Sequence, residues 1–282
     1  MNTIWSENVQ GIMTLYLSRK LRFDDRFQLQ YQKLFGIDYR AKCRILEIGC
    51  GPGALAGALH RWYSNAEIAA IDRDSGFIEF AKEHEPGVSF MEGDAAALPF
   101  PDGSFDVTIS HTVQEHIEPD AFWREQKRVL KTGGTCICIS ARKGVTIRAK
   151  CLEATEAEMR FWNGISDGED ALKKYNVGKY WVNESELPLQ MEEYGFRNVA
   201  TGYAVIELTP DNPGCPNEFA ERIIESERQS DLEAVSRARA SGSDRIIEVI
   251  DRKYDTRLNL YRKGIKQWDT QISLAMVVRG ET

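Results

Sequence analysis

Three places in this 282-residue chain bring together side chains that can do chemistry. The first is Glu47, followed by Gly49, Gly51 and Gly53 with Cys50 and Pro52 between them. Glycine carries no Cβ, so such a turn can be sharp and a ligand can touch its main chain. Glu47 would repel a pyrophosphate but not a cation, and Pro52 removes an N–H that a phosphate cradle would use. The second is Asp72, 19 residues after Gly53, near the offset at which an acid in a glycine-turn fold reaches a ribose. One carboxylate can accept both ribose hydroxyls; the competing reading is a surface acid at a strand end. The third is Ser110-His111-Thr112-Val113-Gln114-Glu115-His116-Ile117, which holds two of only four histidines with a glutamate between them. Glu115 or His116 could take a proton from a hydroxyl, amine or thiol near neutral pH. The same pair could instead hold the loop by hydrogen bonds.

Alternating strands and helices must position these groups. Ile45 to Ile48 is a short apolar run that stops at the glycines, and Ala54, Leu55, Ala58, Leu59 and Trp62 follow at helical spacing. Glu67 to Asp72 reads as a second strand, with Asp74 or Ser75 capping the next helix. Val88 to Met91, Phe105 to Ser110 and Thr135 to Ser140 read as strands three to five. A helix from Asp120 to Lys131 is expected to stop at Gly133-Gly134. Asn198 to Leu208 is a sixth strand and Ile272 to Val278 a seventh. In open sheets of this kind the ligand crevice lies at the carboxyl ends of the strands, which is where all three groups fall.

Strand, glycine turn and helix with Glu47 in place resemble motif I of the class I S-adenosylmethionine (SAM) methyltransferases. The resemblance continues in Ala70-Ile71-Asp72-Arg73, in Gly93-Asp94-Ala95 with Leu98 to Asp106, and in Arg128-Val129-Leu130-Lys131-Thr132-Gly133-Gly134. It covers roughly a third of the chain, with four motifs in the family's order. It implies an α/β fold: a Rossmann-like, doubly wound, seven-stranded, mainly parallel sheet with an antiparallel last strand and helical insertions. It implies SAM as cosubstrate and S-adenosylhomocysteine as product, held by Glu47, Gly49, Cys50, Gly51, Asp72 and Arg73. Asp94 and Ala95 would meet adenine, and Ser110 and His111 the methionine part, which makes His111 a catalytic candidate beside Glu115 and His116. An N-terminal extension in such enzymes often folds over the pocket, so Trp5, Tyr16, Arg19 and Lys20 are lid candidates, Tyr16 among the cofactor contacts. No metal is called for, and no clustered ligand spacing suggests one.

The remaining chain falls into additions to this core. Residues 1–40 read as a helical cover, 41–141 as the SAM-binding core and 142–182 as an insertion, helical from Thr146 to Phe161 and then loop-like. Residues 183–208 continue the core, 209–268 form a helical hairpin (Asn217 to Ala240, Asp244 to Trp268), and 269–282 supply the last strand. Trp162, Tyr175, Tyr180 and Trp181 in the insertion are candidates for a substrate wall, although packing onto the core would use the same side chains. The hairpin's alternating charges suit a solvated face. It reads as decoration, as a dimer arm giving a homodimer, or as a cap.

A net charge of −7 argues against nucleic acid as partner. No apolar run is long enough to span a bilayer, the first residues lack the layout of a secretory signal, and the six cysteines show no CxxC pairing. A cytoplasmic enzyme with a small-molecule substrate and no membrane partner is the expectation. The function implied is methyl transfer from SAM to a small-molecule acceptor by in-line displacement. The alternatives are a non-catalytic SAM- or nucleotide-binding regulatory protein and an NAD-dependent oxidoreductase.

Overall fold

The computed structural model describes residues 5–38, 40, 42–165, 172, 175–238 and 242–282. One seven-stranded sheet runs through it, with strand order β3-β2-β1-β4-β5-β7-β6. The strands are β1 (Arg44–Ile48), β2 (Glu67–Asp72), β3 (Ser89–Glu92), β4 (Phe105–His111), β5 (Leu130–Ile147), β6 (Arg197–Leu208) and β7 (Thr270–Glu281). Pairings from β3 through β5 are parallel, and the last strand is antiparallel. The chain reverses direction across the sheet between β1 and β4, so their carboxyl ends open a crevice.

Contacts divide the chain into two compact units: residues 1–142, 172–204 and 274–282, and residues 143–171 and 205–273. In the first, Leu46, Ile48, Ile71, Leu98, Phe105 and Val129 form one apolar cluster. Phe122, Trp123, Met191, Phe196, Met276 and Val278 belong to another. Its helices are α1 (Trp5–Asn8), α2 (Ile12–Arg22), α3 (Gln28–Phe35), α4 (Ala54–Trp62), α5 (Ser75–His84), α6 (Pro119–Val129) and α8 (Glu186–Glu193). The second unit holds α7 (Glu156–Asn163) and the long helices α9 (Asn217–Ala238) and α10 (Ser243–Arg262). α9 and α10 form an antiparallel hairpin, tied by Arg228 to Asp251 midway along it and by Arg262 to Glu221 at its base. Leu152, Ile224, Val235, Ile246, Ile250 and Tyr254 fill the core of that unit.

Several elements differ from expectation. α6 ends at Val129 and passes directly into β5, so Gly133-Gly134 is no helix stop. Those glycines sit in a bulge: Phe105 pairs with Leu130 but Val107 with Thr135, and Gly133 takes φ +75° to make the detour. β5 extends to Ile147, where a helix was expected. The helix begins only at Glu156, behind a Thr155–Glu158 capping box that satisfies both ends of its first turn. The N-terminal stretch is helical as read, in three helices and a 3₁₀ turn. α10 closes at Arg262 because Gly264 turns left-handed (φ +71°). Gly168 and Ser241, read as loop and turn, lie outside the described residues.

Candidate active site

The glycine turn is built from backbone geometry that side chains would obstruct. Gly49, Gly51 and Gly53 all have positive φ (68°, 53° and 86°), the left-handed region that a Cβ penalises. The Gly49 and Cys50 N–H groups both donate to the Ile71 carbonyl, which pins the turn to the tip of β2. Asp72 closes the same corner: one carboxylate oxygen accepts from the Gly51 N–H at 2.8 Å, the other from the Asp74 N–H at 3.0 Å. Each oxygen keeps a lone pair for a further donor. Burial pushes the Asp72 pKa up, and these two N–H bonds oppose the rise. Cys50 is buried in the turn, its thiol raised well above the usual range by burial and by the Asp72 and Glu47 carboxylates.

Glu47 is fully buried on β1, and no side chain among the described residues hydrogen-bonds either of its oxygens. Desolvation lifts its pKa to about 8, against the pull of Arg19 and of the Ala56 N–H in the first turn of α4. A buried carboxylate with no side-chain partner is costly, and a cationic group arriving beside it would relieve that cost.

At the carboxyl end of β4, Ser110 donates toward the Cys138 sulfur at 3.5 Å and is buried. His111 is buried against Phe23, ring centroids 4.9 Å apart, with neither ring nitrogen partnered. Burial and the nearby Arg19 and Arg22 charges drive its pKa well down. Thr112 follows with φ +55°, a conformation uncommon outside glycine. Its hydroxyl donates to the His111 carbonyl at 2.7 Å and accepts from Arg19 Nη2 at 3.1 Å.

His116 Nδ1 accepts from the Gly178 N–H at 2.9 Å, and Trp5 packs on its ring at 4.9 Å. Burial, then Arg73 and Arg19, lower its pKa to about 4, so the ring is neutral near pH 7 with its proton on Nε2. The lone pair that a base would use is therefore already engaged. Glu115 is different. Its Oε2 is buried without a partner and desolvation raises its pKa, with Arg142 opposing. Arg142 is a member of this cluster that no motif announced. Its side chain is 8% exposed, lies 3.2 Å from Glu184 and stands over Trp181.

The N-terminal helices cover the turn. Leu15 and Arg19 of α2 lie over Gly51, where an added Cβ would stand 3.3 Å from Leu15 Cδ2 and 3.0 Å from Arg19 Nη1. Ser6 donates to both oxygens of Asp74, and Lys20 pairs with Glu85. The Tyr16 hydroxyl donates to Glu85 at 2.8 Å and is thereby committed to the α5 side. Of the aromatic candidates in the insertion, Tyr175 meets Asn8 and the Tyr180 N–H donates to the Glu115 carbonyl. Trp181 is largely exposed, and Trp162 belongs to the second unit. Asp94 Oδ1 accepts from the Ala96 N–H at the turn after β3, next to a half-buried Ala95.

Residues 46–138, the stretch that holds this turn and crevice, match the model of the methyltransferase domain. This is the part of the chain that is similar to methyltransferases. A fatty-acid O-methyltransferase of Mycolicibacterium smegmatis is 36% identical over 119 residues, 41% of this chain and 43% of that protein. A probable phthiotriol/phenolphthiotriol dimycocerosates methyltransferase of Mycobacterium ulcerans is 41% identical over 95 residues, 32% of this chain and 36% of its own. The matches thus span less than half the length of either relative. In fold, the chain resembles a phosphoethanolamine N-methyltransferase of Haemonchus contortus. The TM-score is 0.56 at 17% identity, covering 100% of this chain and 60% of that one. The matched stretch runs from β1 into the first half of β5, whereas β6, β7 and the helical additions lie beyond it.

Proposed function

We propose that this chain is a SAM-dependent methyltransferase that transfers the methyl group to a small-molecule acceptor. The observation that carries the reading is Glu47: a buried acid with no side-chain partner among the described residues, beside three left-handed glycines, suits a cationic nucleoside better than a pyrophosphate. SAM, when bound, supplies a methyl group on an already activated sulfonium. The chain's own residues then have to bind, align and keep water out. Asp72 offers its two remaining lone pairs to the ribose hydroxyls, with Arg73 beside it at the strand tip. Asp94 and the Ala95 N–H offer an acceptor and a donor to adenine. The glycine backbone, Cys50, Ser110 and His111 line the methionine side, and Tyr16 holds α2 in place through Glu85.

Among the groups that could take the acceptor's proton, Glu115 is the base in this reading, because its free oxygen and raised pKa suit the task. His116 is a positioning residue that fixes the 175–181 turn through Gly178. Tyr175, Tyr180 and Trp181 remain the proposed acceptor contacts. A small-molecule acceptor also suits the acidic chain, and a nucleic-acid partner does not. A cytoplasmic location and a homodimer through the helical hairpin belong to the same proposal. No helix among the described residues is long and apolar enough to cross a membrane.

The test is incubation with methyl-labelled SAM and a metabolite extract. Appearance of S-adenosylhomocysteine with label in a small molecule supports the reading. SAM binding without turnover would favour a sensor or partner subunit, and NADH affinity matching SAM affinity would favour an oxidoreductase.

A further inference from the structure

Arg19 is a buried cation whose needs are not met by the protein alone. It lies in the last turn of α2 and is 8% exposed. No carboxylate stands within ion-pair distance of it among the described residues, and its side chain donates there to a neutral hydroxyl, Thr112 Oγ1. A like charge, Arg22, sits one turn on in the same helix. The Nη1 end points to the face of Gly51, at the floor of the crevice. Glu47 is fully buried with no side-chain hydrogen bond among the described residues, and the two feel each other without forming an ion pair.

A buried cation and a buried acid, both desolvated, are the complement of a zwitterion, the acid giving up its proton when an ammonium arrives. A dianionic phosphate would set two negative charges against Glu47 and Asp72. An α-amino-acid head would give Arg19 a carboxylate and Glu47 an ammonium. Resting on the methyltransferase reading of the same crevice, we infer that Arg19 is the residue that binds the α-carboxylate of the cosubstrate, so that the amino-acid end recruits α2 over the site. The guanidinium fork can then offer a carboxylate two donors while it stays within reach of Thr112. α2 is thereby tied to the ligand and not only to α5.

The test compares S-adenosylhomocysteine with its decarboxylated analogue, which keeps the ammonium and the nucleoside, by calorimetry on the full chain. The wild type should bind the analogue about 10- to 100-fold more weakly, the size of a hydrogen-bonded charge contact. Arg19→Gln should lose affinity for S-adenosylhomocysteine by a similar factor and bind both ligands about equally, within roughly twofold. Arg19→Lys, which keeps the charge but not the fork, should fall between. Hydrogen exchange supplies a second readout: residues 12–22 should gain protection with S-adenosylhomocysteine and much less with the analogue. Equal binding of the two ligands by the wild type overturns the inference even if Arg19→Gln fails to fold. So does a variant that loses both affinities in proportion, since that is the mark of a structural role. If the wild type binds neither ligand, the methyltransferase reading itself fails.

Discussion

His116 shows what a contact geometry adds to a residue type. In the sequence it stands beside Glu115 as an equal claimant for proton transfer; in the fold its Nδ1 lone pair is spent on Gly178 and its ring is packed on Trp5. Its pKa is depressed from 6.5 to about 4, so the folded state binds fewer protons than the unfolded state between those values. The stability this linkage reflects is present above pH 6.5 and is lost as pH falls toward 4, up to about 3 kcal/mol. Urea melts of wild type and His116→Gln at pH 7.5 and pH 5 should therefore converge at the lower pH. Glu115 carries the opposite expectation. Its raised pKa means the base is lost as pH drops, so turnover should fall on the acid side at a pH above that of an ordinary glutamate. Glu115→Gln should remove about 10²–10⁴-fold of rate while binding of S-adenosylhomocysteine stays intact. Glu47, with a pKa of about 8, is largely protonated at pH 7 in the free protein. An ammonium placed beside it should expel that proton, so the binding enthalpy of S-adenosylhomocysteine should depend on the buffer's ionisation enthalpy, with net proton release. Absence of that dependence would count against Glu47 as the ammonium's partner.

At the scale of elements, the glycine turn was the most legible feature because its cause is local. Alternating glycines are needed where three successive turns of backbone are left-handed, and no other residue tolerates that at small cost. Gly53→Ala puts a Cβ 2.9 Å from both the Ala81 Cβ and the Phe90 ring, on top of the conformational penalty. It should cost at least about 1–2 kcal/mol of stability in denaturant unfolding. Asp72→Ala should lower affinity for S-adenosylhomocysteine about 10- to 100-fold. It should also loosen the turn, because the side chain holds the Gly51 and Asp74 N–H groups as well as any ribose. The α6–β5 junction was misread because Gly133-Gly134 has the composition of a helix stop, whereas the strand pairing uses it as a bulge. Arg142 was illegible for a different reason: it sits in no motif, and its place depends on contacts between elements far apart in the chain. Arg19 was a lid candidate only through the family resemblance, and its contact with the Gly51 face depends on distant elements in the same way.

At the scale of the whole molecule, the matched stretch runs from the first strand into the first half of the fifth, and the second unit is where sequence reading had least to work with. Its helices were visible from their periodicity, but its interior holds charges that periodicity cannot foresee. Arg257 is fully buried, bonded to Asp211 at 2.8 Å and facing Asp269 at 3.6 Å, while Glu227 nearby is raised to about 7 by burial. Arg257→Ala leaves two acids without their counter-charge and should destabilise the protein by about 3–5 kcal/mol in urea melts. A matched exchange of Arg257, Asp211 and Asp269 for apolar residues should cost far less. The order of strands across the sheet has a consequence for how the protein is made. β7 separates β5 from β6 although it follows both in the chain, so β6 has no neighbour until β7 is synthesised. A ribosome paused within the α9–α10 hairpin would leave β5 and β6 as two bare edges, the state in which a nascent chain most needs a chaperone.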